Sequence, residues 1–467
     1  MGYPRSHTVI PGEPGFFHCH SRCVRRAWLC GDDPVTGKNF DHRRDWIEER
    51  LLDLANSFAV ALYAWALMDN HCHVVLAVDP RLPEQWSDVE VASRWCRLSA
   101  SDRRGYPQDR TGHPIDAPEC LSGVISHAFR RQQPWPHTGL LGSLHMGYPR
   151  SHTVIPGEPG FFHCHSRCVR RAWLCGDDPV TGKNFDHRRD WIEERLLDLA
   201  NSFAVALYAW ALMDNHCHVV LAVDPRLPEQ WSDVEVASRW CRLSASDRRG
   251  YPDKESEQRR QRETDLLSNP TQLQVIRDRL GSISWFNRYL KEAIAREANA
   301  EDGCTGCFWE SRFGCQPLLD EQAILTCMAY VDLNPIRAGA AISLADSSFT
   351  SIKRRLDALA AKLANDDDLL SPLAGSARLP GPSLSIRSYI ELLEWTGRQR
   401  RDDKRGVIDP ATPPALVRLR APPEHWLDFT TDLFRFFRIA IGSQSSLTEF
   451  AKRSHRTRVQ GSRYAWD

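Results

Sequence analysis

The sequence predicts an α+β fold in which helices cover an antiparallel sheet, followed by a mainly helical C-terminal extension. Three observations predict this fold: short apolar strands joined by a two-residue turn, amphipathic helices with polar residues at their starts, and short helical patterns with proline-rich joints beyond Ala345. Alternation with period two is typical of strands, and apolar residues spaced three and four apart are typical of helices.

The chain of 467 residues contains a long internal repeat, because Met1–Pro107 recurs without change as Met146–Pro252. Two copies are too few for a repeat array, so this is a partial tandem duplication, either recent or produced when the reading frame was assembled. We therefore predict four segments: a partial copy over 1–107, a linker or translated spacer over 108–145, a complete domain over 146–345, and a helical extension with a basic tail over 346–467.

Composition narrows the class of protein. Basic and acidic residues balance at 60 each, so the overall charge argues neither for nor against nucleic acid as a partner. The 15 cysteines form no framework of spaced pairs and no secretory leader is recognised, so we expect a cytoplasmic protein with reduced thiols. The longest apolar run, Phe203–Met213, is too short to span a membrane and suits a buried strand.

The elements are assigned in the second copy, where the chain continues. Strands are expected at Phe161–Val169, Phe203–Met213 and His216–Val223, the last two joined by a turn at Asp214-Asn215. A helix should begin after Asp186 and run to about Ala200. Sequence 225–262 is loop-like, with a short helix at Ser232–Leu243.

The remaining pattern is helical with one further strand. Helices are expected at Thr271–Arg279, Ser284–Asn299, Ser351–Ala364, Tyr389–Thr396 and His425–Ile439, and a strand at Phe308–Phe313. Another helix should begin after Asp320 and end near Asn334, because Pro335 disfavours helical geometry in the residue before it.

Two histidines occupy alternate positions at the start of the strand His216–Val223. Residues two apart on a strand point to one face, with Cα atoms about 6.6–7 Å apart, so His216 and His218 can converge on one cation. The same motif occurs earlier in the chain as His71 and His73. Without other functional groups, such a pair is better explained by a hairpin whose histidines face solvent.

The helix after Asp320 supplies a tyrosine and an amide. Its apolar stripe consists of Ile324, Cys327, Met328 and Val331. At about 100° per residue, Tyr330 and Asn334 lie on one flank of that stripe, where a hydroxyl can reach a cleft between helix and sheet. A tyrosine at such a boundary is usually a packing residue, but together with the histidine pair it indicates a catalytic site.

These motifs together resemble the single-tyrosine HUH transposases, and within them the REP-associated tyrosine transposases. The matching residues are Met213–His218, Phe308–Phe313 and Tyr330–Gly339, with Phe162–Arg167 similar to the family's first strand. The resemblance covers about residues 147–344 and implies the ferredoxin-like fold of the HUH endonucleases. This chain departs from the family pattern at Cys217, where a bulky hydrophobic residue is usual, and in having two histidine motifs.

The resemblance implies metal-assisted cleavage and rejoining of single-stranded or hairpin DNA during transposition. His216, His218 and Asn334 would bind Mg²⁺ or Mn²⁺, which would polarise the scissile phosphate. Imidazole and amide ligands suit Mn²⁺ better than Mg²⁺. Tyr330 would attack phosphorus, leaving a 5′-phosphotyrosine and a free 3′-hydroxyl, so that a strand can be rejoined without ATP. Such a protein would act at the nucleoid.

The resemblance also implies roles for residues outside the main motifs. His71 and His73 would form a duplicate metal pair. Candidate DNA contacts are Arg167, Arg170, Arg171 and Arg312 for phosphates and Trp309 for base stacking. Tyr289 is the other available nucleophile, but its helix is apolar enough that packing explains it better.

Three alternatives stay open from the sequence. A domesticated protein that binds hairpin DNA without cutting it would keep the same motifs. A zinc site could use Cys304, Cys307 and Cys315, or the histidines and cysteines of 163–168, although neither set has a second pair at ligand spacing. The first copy ends before any counterpart of Tyr330, so it could be an unfolded appendage, a swapped sheet or half of an intramolecular pseudo-dimer.

Either histidine pair could lie beside Tyr330. Loop closure favours the nearer pair, His216 and His218, over His71 and His73 by only about 0.7 kcal/mol. Family members of the insertion-sequence branch are dimers that share active sites, so a homodimer is also open.

Overall fold

A computed structural model describes Ile10 and residues 12–23, 28–34, 36–96, 153–169, 172–178, 181–243, 257–399, 413–456, 459 and 465–466. The chain divides into two units, Met1–His145 and Met146–Asp467. The predicted linker over 108–145 lies outside the described residues. None of the helices in the described ranges is long and apolar enough to cross a membrane.

The described residues of the first unit form a three-stranded antiparallel sheet and two α-helices. Its strands are β1 (Gly15–Arg22), β2 (Val60–Leu67) and β3 (His71–Val78), and its helices are α1 (His42–Ser57) and α2 (Asp88–Cys96). The strand order is β1-β3-β2, so the described part of this sheet has β1 at one edge.

The second unit repeats this arrangement, and its described part extends the sheet to five strands. These strands are β4 (Gly160–Arg167), β5 (Val205–Leu212), β6 (His216–Val223), β7 (Gly314–Leu318) and β8 (Ala374–Gly375). Their order is β7-β4-β6-β5-β8, and every neighbouring pair is antiparallel. The prediction of a mixed fold of helices and antiparallel sheet is therefore confirmed.

The helices of this unit fall before and after β7. Those before it are α3 (His187–Ser202), α4 (Asp233–Cys241), α5 (Glu257–Leu267), α6 (Pro270–Leu280) and α7 (Ile283–Glu301). Those after it are α8 (Glu321–Asp332), α9 (Asn334–Arg337), α10 (Ser351–Ala360), α11 (Ile386–Arg398), α12 (Pro414–Arg418), α13 (Pro423–Phe429), α14 (Leu433–Phe436) and α15 (Gln444–Arg453).

The prediction of a strand at Phe308–Phe313 is wrong. The strand that joins the sheet is β7, which begins directly after this segment. The predicted segment contributes only an isolated bridge between Cys168 and Trp309. Pro317 explains why β7 is hard to recognise, since proline cannot donate to a ladder and is tolerated mainly at sheet edges. β7 lies at such an edge, and only β4 pairs with it among the described strands.

Two other expectations differ from the structure. The helical pattern at His425–Ile439 forms two short helices, because the Asp432 side chain accepts a hydrogen bond from the Arg435 N–H and starts a new helix there. α5 lies at the end of a region expected to be loop-like. Its sequence is so polar that the amphipathic pattern of a packed helix is weak.

Each face of the second sheet has its own apolar core. One face, called the histidine face, carries Phe161, His163, His165, His216, His218, Val220 and Ala222, and its core is built with α8 and the C-terminal extension. The opposite face carries Phe162, Cys164, Cys217, Val219 and Leu221 and packs against α3 to α7. Alternation along β4 and β6 thus assigns the histidines to the side of the tyrosine helix.

The duplicated sequence shows how much the later chain contributes to this core. Phe161 and Tyr208 are 7% and 2% exposed in the second unit, whereas the same residues of the first copy, Phe16 and Tyr63, are 71% and 62% exposed. The strands and their register are the same in both copies. The histidine face is therefore buried by residues beyond the repeat.

A buried carboxylate fastens α8 to the extension. Asp332, which is 0% exposed, accepts hydrogen bonds from the Tyr389 hydroxyl at 2.7 Å, from the Ile352 N–H at 3.0 Å and from the Ser351 hydroxyl. A buried carboxylate is costly unless its oxygens are satisfied in this way. The end of the tyrosine helix is thereby held in place by residues of the C-terminal extension.

Candidate active site: a histidine cluster beside a buried tyrosine

Four histidines meet on the histidine face because β4 and β6 are neighbours. His165 lies opposite His218, and Arg167 lies opposite His216, in the antiparallel register. The His163 and His218 rings are stacked, with centroids 5.1 Å apart, and the His216 and His218 rings are 5.0 Å apart and nearly perpendicular. The predicted pair is thus part of a larger cluster.

Tyr330 packs directly on this cluster. Its ring centroid is 5.5 Å from that of His218 and 6.2 Å from that of His163. The side chain lies at the margin of the core, 9% exposed, as the helical pattern predicted. Asn334 is also buried, at 7% exposed, but it begins α9 after α8 has ended at Asp332.

The ring nitrogens of the cluster are held by specific partners. His216 Nδ1 is 2.7 Å from the Asn215 side-chain oxygen, and His218 Nδ1 is 3.0 Å from His163 Nε2. His163 Nδ1 in turn is 3.3 Å from the side-chain oxygen of Gln316 on β7. For both predicted ligands, Nδ1 is therefore engaged within the protein.

Burial keeps the imidazoles of His163, His216 and His218 neutral at physiological pH. It lowers the pKa of His163 from 6.5 to about 4. Burial, followed by the nearby cations Arg167 and Arg337, lowers the pKa of His216 to about 4. The pKa of His218 also lies well below 6.5, mainly because of burial. A neutral imidazole has a lone pair to offer a metal ion, which an imidazolium lacks.

The Arg337 guanidinium lies over the tyrosine ring. Its guanidinium carbon lies 4.1 Å from the ring centroid, and its side chain donates to the Tyr330 carbonyl oxygen at 3.1 Å and to that of Thr430. Burial raises the pKa of Tyr330, and the charge of Arg337 lowers it in part. Arg337 lies within the quoted family motif, but no role for it followed from the sequence.

The C-terminal extension reaches this site through Phe434 on α14. The Phe434 ring centroid is 4.8 Å from that of His165, 5.5 Å from that of His163 and 5.8 Å from that of Tyr330. Sequence reasoning missed this residue, because nothing in its local pattern distinguishes it from its aromatic neighbours. The extension, which carried no chemistry in the sequence, forms one wall of the site.

Gly314, the first residue of β7, makes room for His165. The two residues are paired across the strands. A β-carbon built on Gly314 would overlap the His165 imidazole, closer than any non-bonded contact allows. Glycine is needed here for space rather than for backbone conformation, since Gly314 is not among the glycines with positive φ.

The donor set suits a divalent metal in its chemistry. With Nδ1 engaged, His216 and His218 each have Nε2 to offer, as is usual for metal-bound histidines whose second nitrogen is hydrogen-bonded. Across the described ranges, no three side chains among His, Cys, Asp and Glu are arranged to hold a metal ion. The zinc alternatives therefore have no support. The predicted ligand set includes the amide of Asn334, so it is not one of these groups.

The predicted DNA contacts are dispersed. Arg167 is exposed at the end of β4, beside His216, and Arg312 is also exposed. Trp309 is half-buried, and its ring nitrogen donates to the Lys291 carbonyl oxygen at 2.9 Å while the Lys291 ammonium lies 5.1 Å from the ring centroid. Arg170 and Arg171 lie outside the described residues.

The first copy reproduces only part of this geometry. His71 Nδ1 is 2.7 Å from the Asn70 side-chain oxygen, and His73 Nδ1 is 3.0 Å from His18 Nε2. His18 is exposed, and within the described first unit β1 has no second neighbouring strand to correspond to β7. Tyr330 and Gln316 have no counterparts in the repeated sequence.

No protein-family model matches the chain, and no curated protein matches it. One solved structure, described as that of a REP-associated tyrosine transposase bound to a REP hairpin, is similar at 11% identity, over 48% of this chain and 93% of that chain, with a TM-score of 0.23. Because a TM-score of this size does not establish a shared fold, the residues of the site carry the functional proposal.

Proposed function

We propose that the chain is a metal-assisted endonuclease and strand transferase for single-stranded or hairpin DNA, a transposase of the single-tyrosine HUH type. The observation that carries this proposal is the packing of Tyr330 against His218, with ring centroids 5.5 Å apart, on the face of the sheet that also bears His216. Tyr330 and the two histidines come from elements more than a hundred residues apart in sequence, whereas Asn334 lies four residues after Tyr330.

The strand order supports the corresponding fold. Counting β4, β5, β6 and β7 as strands one to four, their spatial order is 4-1-3-2, with α3 connecting the first two. This is a split β-α-β arrangement of the ferredoxin-like type. On this basis we propose a ferredoxin-like HUH endonuclease domain followed by a helical extension.

In the proposed reaction, the Tyr330 hydroxyl attacks a backbone phosphorus. The phenol loses its proton, a P–O bond forms to Tyr330 and the P–O3′ bond breaks. The leaving 3′-oxygen takes up a proton to become a 3′-hydroxyl, while the 5′ side stays attached to the protein. Arg337, 4.1 Å from the ring centroid, favours the phenolate against the effect of burial. Mg²⁺ or Mn²⁺ bound by His216, His218 and Asn334 would polarise the phosphate.

The exposed cation Arg167 would meet the DNA backbone at the mouth of this site, because it lies across from His216 in the sheet. Arg312 would contribute a second phosphate contact. We also propose that the protein acts in the cytoplasm at the nucleoid, with hairpin DNA as its partner.

Cleavage can be tested by incubating the full chain with a single-stranded hairpin oligonucleotide and Mn²⁺, followed by a denaturing gel. A covalent protein–DNA band should appear and should be lost in Tyr330→Phe. Tyr289→Phe is the matched control, since Tyr289 packs against Trp240 and Phe203 on the opposite face and should leave the band unchanged. A chain that shifts the hairpin on a native gel but gives no band with Mg²⁺ or Mn²⁺ would be a DNA-binding protein without cleavage activity.

The duplication offers a second control within the same molecule. His216→Ala with His218→Ala should abolish the band, whereas His71→Ala with His73→Ala should leave it, because the described first unit has no buried tyrosine beside its histidines. Loss of the band in the second double variant would show that the first copy takes part in cleavage.

A further inference from the structure

We infer that Gln316, acting through His163, fixes His218 in the tautomer with its proton on Nδ1 and its lone pair on Nε2. This inference rests on the proposed function, because it concerns how a predicted metal ligand is prepared for binding. It assigns Gln316 and His163 as positioning residues, neither of which belongs to the predicted ligand set.

The direction of the chain of hydrogen bonds is set at its far end. The Gln316 side-chain nitrogen is 2.8 Å from the backbone carbonyl oxygen of Phe437. A carbonyl oxygen can only accept, so the amide nitrogen of Gln316 must point to Phe437 and the amide oxygen must point to His163. The extension therefore determines which end of the glutamine His163 meets.

The next link fixes His163. Its Nδ1 faces the Gln316 oxygen at 3.3 Å, and an oxygen that only accepts requires the proton on Nδ1. His163 is 0% exposed, and a fully buried imidazolium would be costly. A neutral ring with Nδ1 protonated has an unprotonated Nε2, which can act only as an acceptor.

That acceptor faces His218. His163 Nε2 and His218 Nδ1 are 3.0 Å apart, so the shared proton belongs to His218 Nδ1. The neutral His218 ring is then left with its lone pair on Nε2. Metal-bound histidines are oriented in the same way when their other ring nitrogen donates to a fixed group, and loss of that group typically weakens metal affinity about 10–100-fold.

The first copy lacks the residue that begins this series of hydrogen bonds. His18 Nε2 and His73 Nδ1 are also 3.0 Å apart, so the histidine pair itself is reproduced. In the described first unit, however, β1 has only β3 beside it, and no residue takes the place of Gln316. The identical histidine pair is therefore free to exchange its proton in either direction, which makes it a matched reference.

The tautomer can be measured without activity, on the full-length, metal-free chain labelled with ¹⁵N-histidine. Long-range ¹H–¹⁵N correlation spectra, with the His218 signals assigned from their loss in His218→Ala, should show a single tautomer with Nδ1 protonated. Gln316→Met, which keeps the length of the side chain and removes its acceptor, should give a mixture of the two tautomers. His163→Phe should do the same if Gln316→Met does not fold, with His18→Phe as the control that leaves His218 unchanged.

A second measurement separates this inference from the proposed function. In a chain with Tyr330→Phe, His71→Ala and His73→Ala, Mn²⁺ titration followed by electron paramagnetic resonance should show about 10–100-fold weaker binding when Gln316→Met is added. An unchanged His218 tautomer in a folded Gln316→Met chain would overturn the inference, even if cleavage is intact. A fixed tautomer in a chain that binds no Mn²⁺ would instead support the inference and contradict the metal-assisted function.

Discussion

Replacing Phe161 with alanine should loosen the tyrosine helix, whereas the same replacement at Phe16 should not. Both residues sit in the same sequence and face an equivalent tyrosine, with ring centroids 5.1 Å apart for Phe161 and Tyr208 and 5.2 Å for Phe16 and Tyr63. The aromatic contact, about 0.5–1.5 kcal/mol, is therefore common to both. The two positions differ in burial, because Phe161 is 7% exposed and Phe16 is 71% exposed.

Replacing a buried phenylalanine with alanine lowers the free energy of unfolding by about 3–5 kcal/mol. Most of this loss arises only when the side chain has neighbours on all sides. We expect Phe161→Ala to lower the free energy of opening of α8 by about 3 kcal/mol or more, since Phe161 shares its core with that helix. Phe16→Ala should change it by less than about 0.5 kcal/mol.

Native-state hydrogen exchange with mass spectrometry can measure this opening on peptides from 321–332, which occur once in the chain. Equal effects of the two variants would refute the conclusion that residues beyond the repeat bury the histidine face.

Two further predictions concern the cluster itself. Burial lowers the pKa of His163 from 6.5 to about 4, so between these values the unfolded chain takes up a proton that the folded chain excludes. The free energy of unfolding should therefore fall by about 3 kcal/mol from this group as pH drops from 7 to 4, and urea titrations should show a smaller fall in His163→Phe. Equal falls in the two proteins would contradict the assignment. Phe434→Ala should expose Tyr330 and speed its nitration by tetranitromethane several-fold, as measured on the Tyr330 peptide by mass spectrometry. Phe436→Ala, whose ring packs on Phe429 with centroids 5.2 Å apart, is the control, and equal nitration rates in the two variants would show that Phe434 does not cover the site.

The sequence predicted the parts of the site that depend on local pattern. β6 begins and ends where its alternation predicts, and alternation places both of its histidines on one face. Asp320 caps α8 as expected, with its carboxylate accepting from the Ala323 N–H at 2.9 Å. These features follow from contacts between residues a few positions apart, which a single sequence contains.

The rest of the site depends on pairings between distant segments. His163 was placed on one strand face, but its contact with His218 requires β4 and β6 to be neighbours, which no local pattern specifies. Gln316 lies on an edge strand that contains a proline, and Phe434 comes from an extension about a hundred residues beyond Tyr330. Long-range contacts of this kind are fixed by how the whole core packs.

Gly314 contributes no functional group, yet the space beside its backbone determines where the His165 ring can lie. Its backbone is one that other residues adopt readily, so secondary structure alone would permit substitution there. The His165 imidazole occupies the space that any β-carbon would need, and a methyl group would push this ring toward Phe434 or out of the cluster. Any larger residue at position 314 should therefore move the His165 ring, and a variant such as Gly314→Ala should alter the histidine cluster without changing any of its histidines.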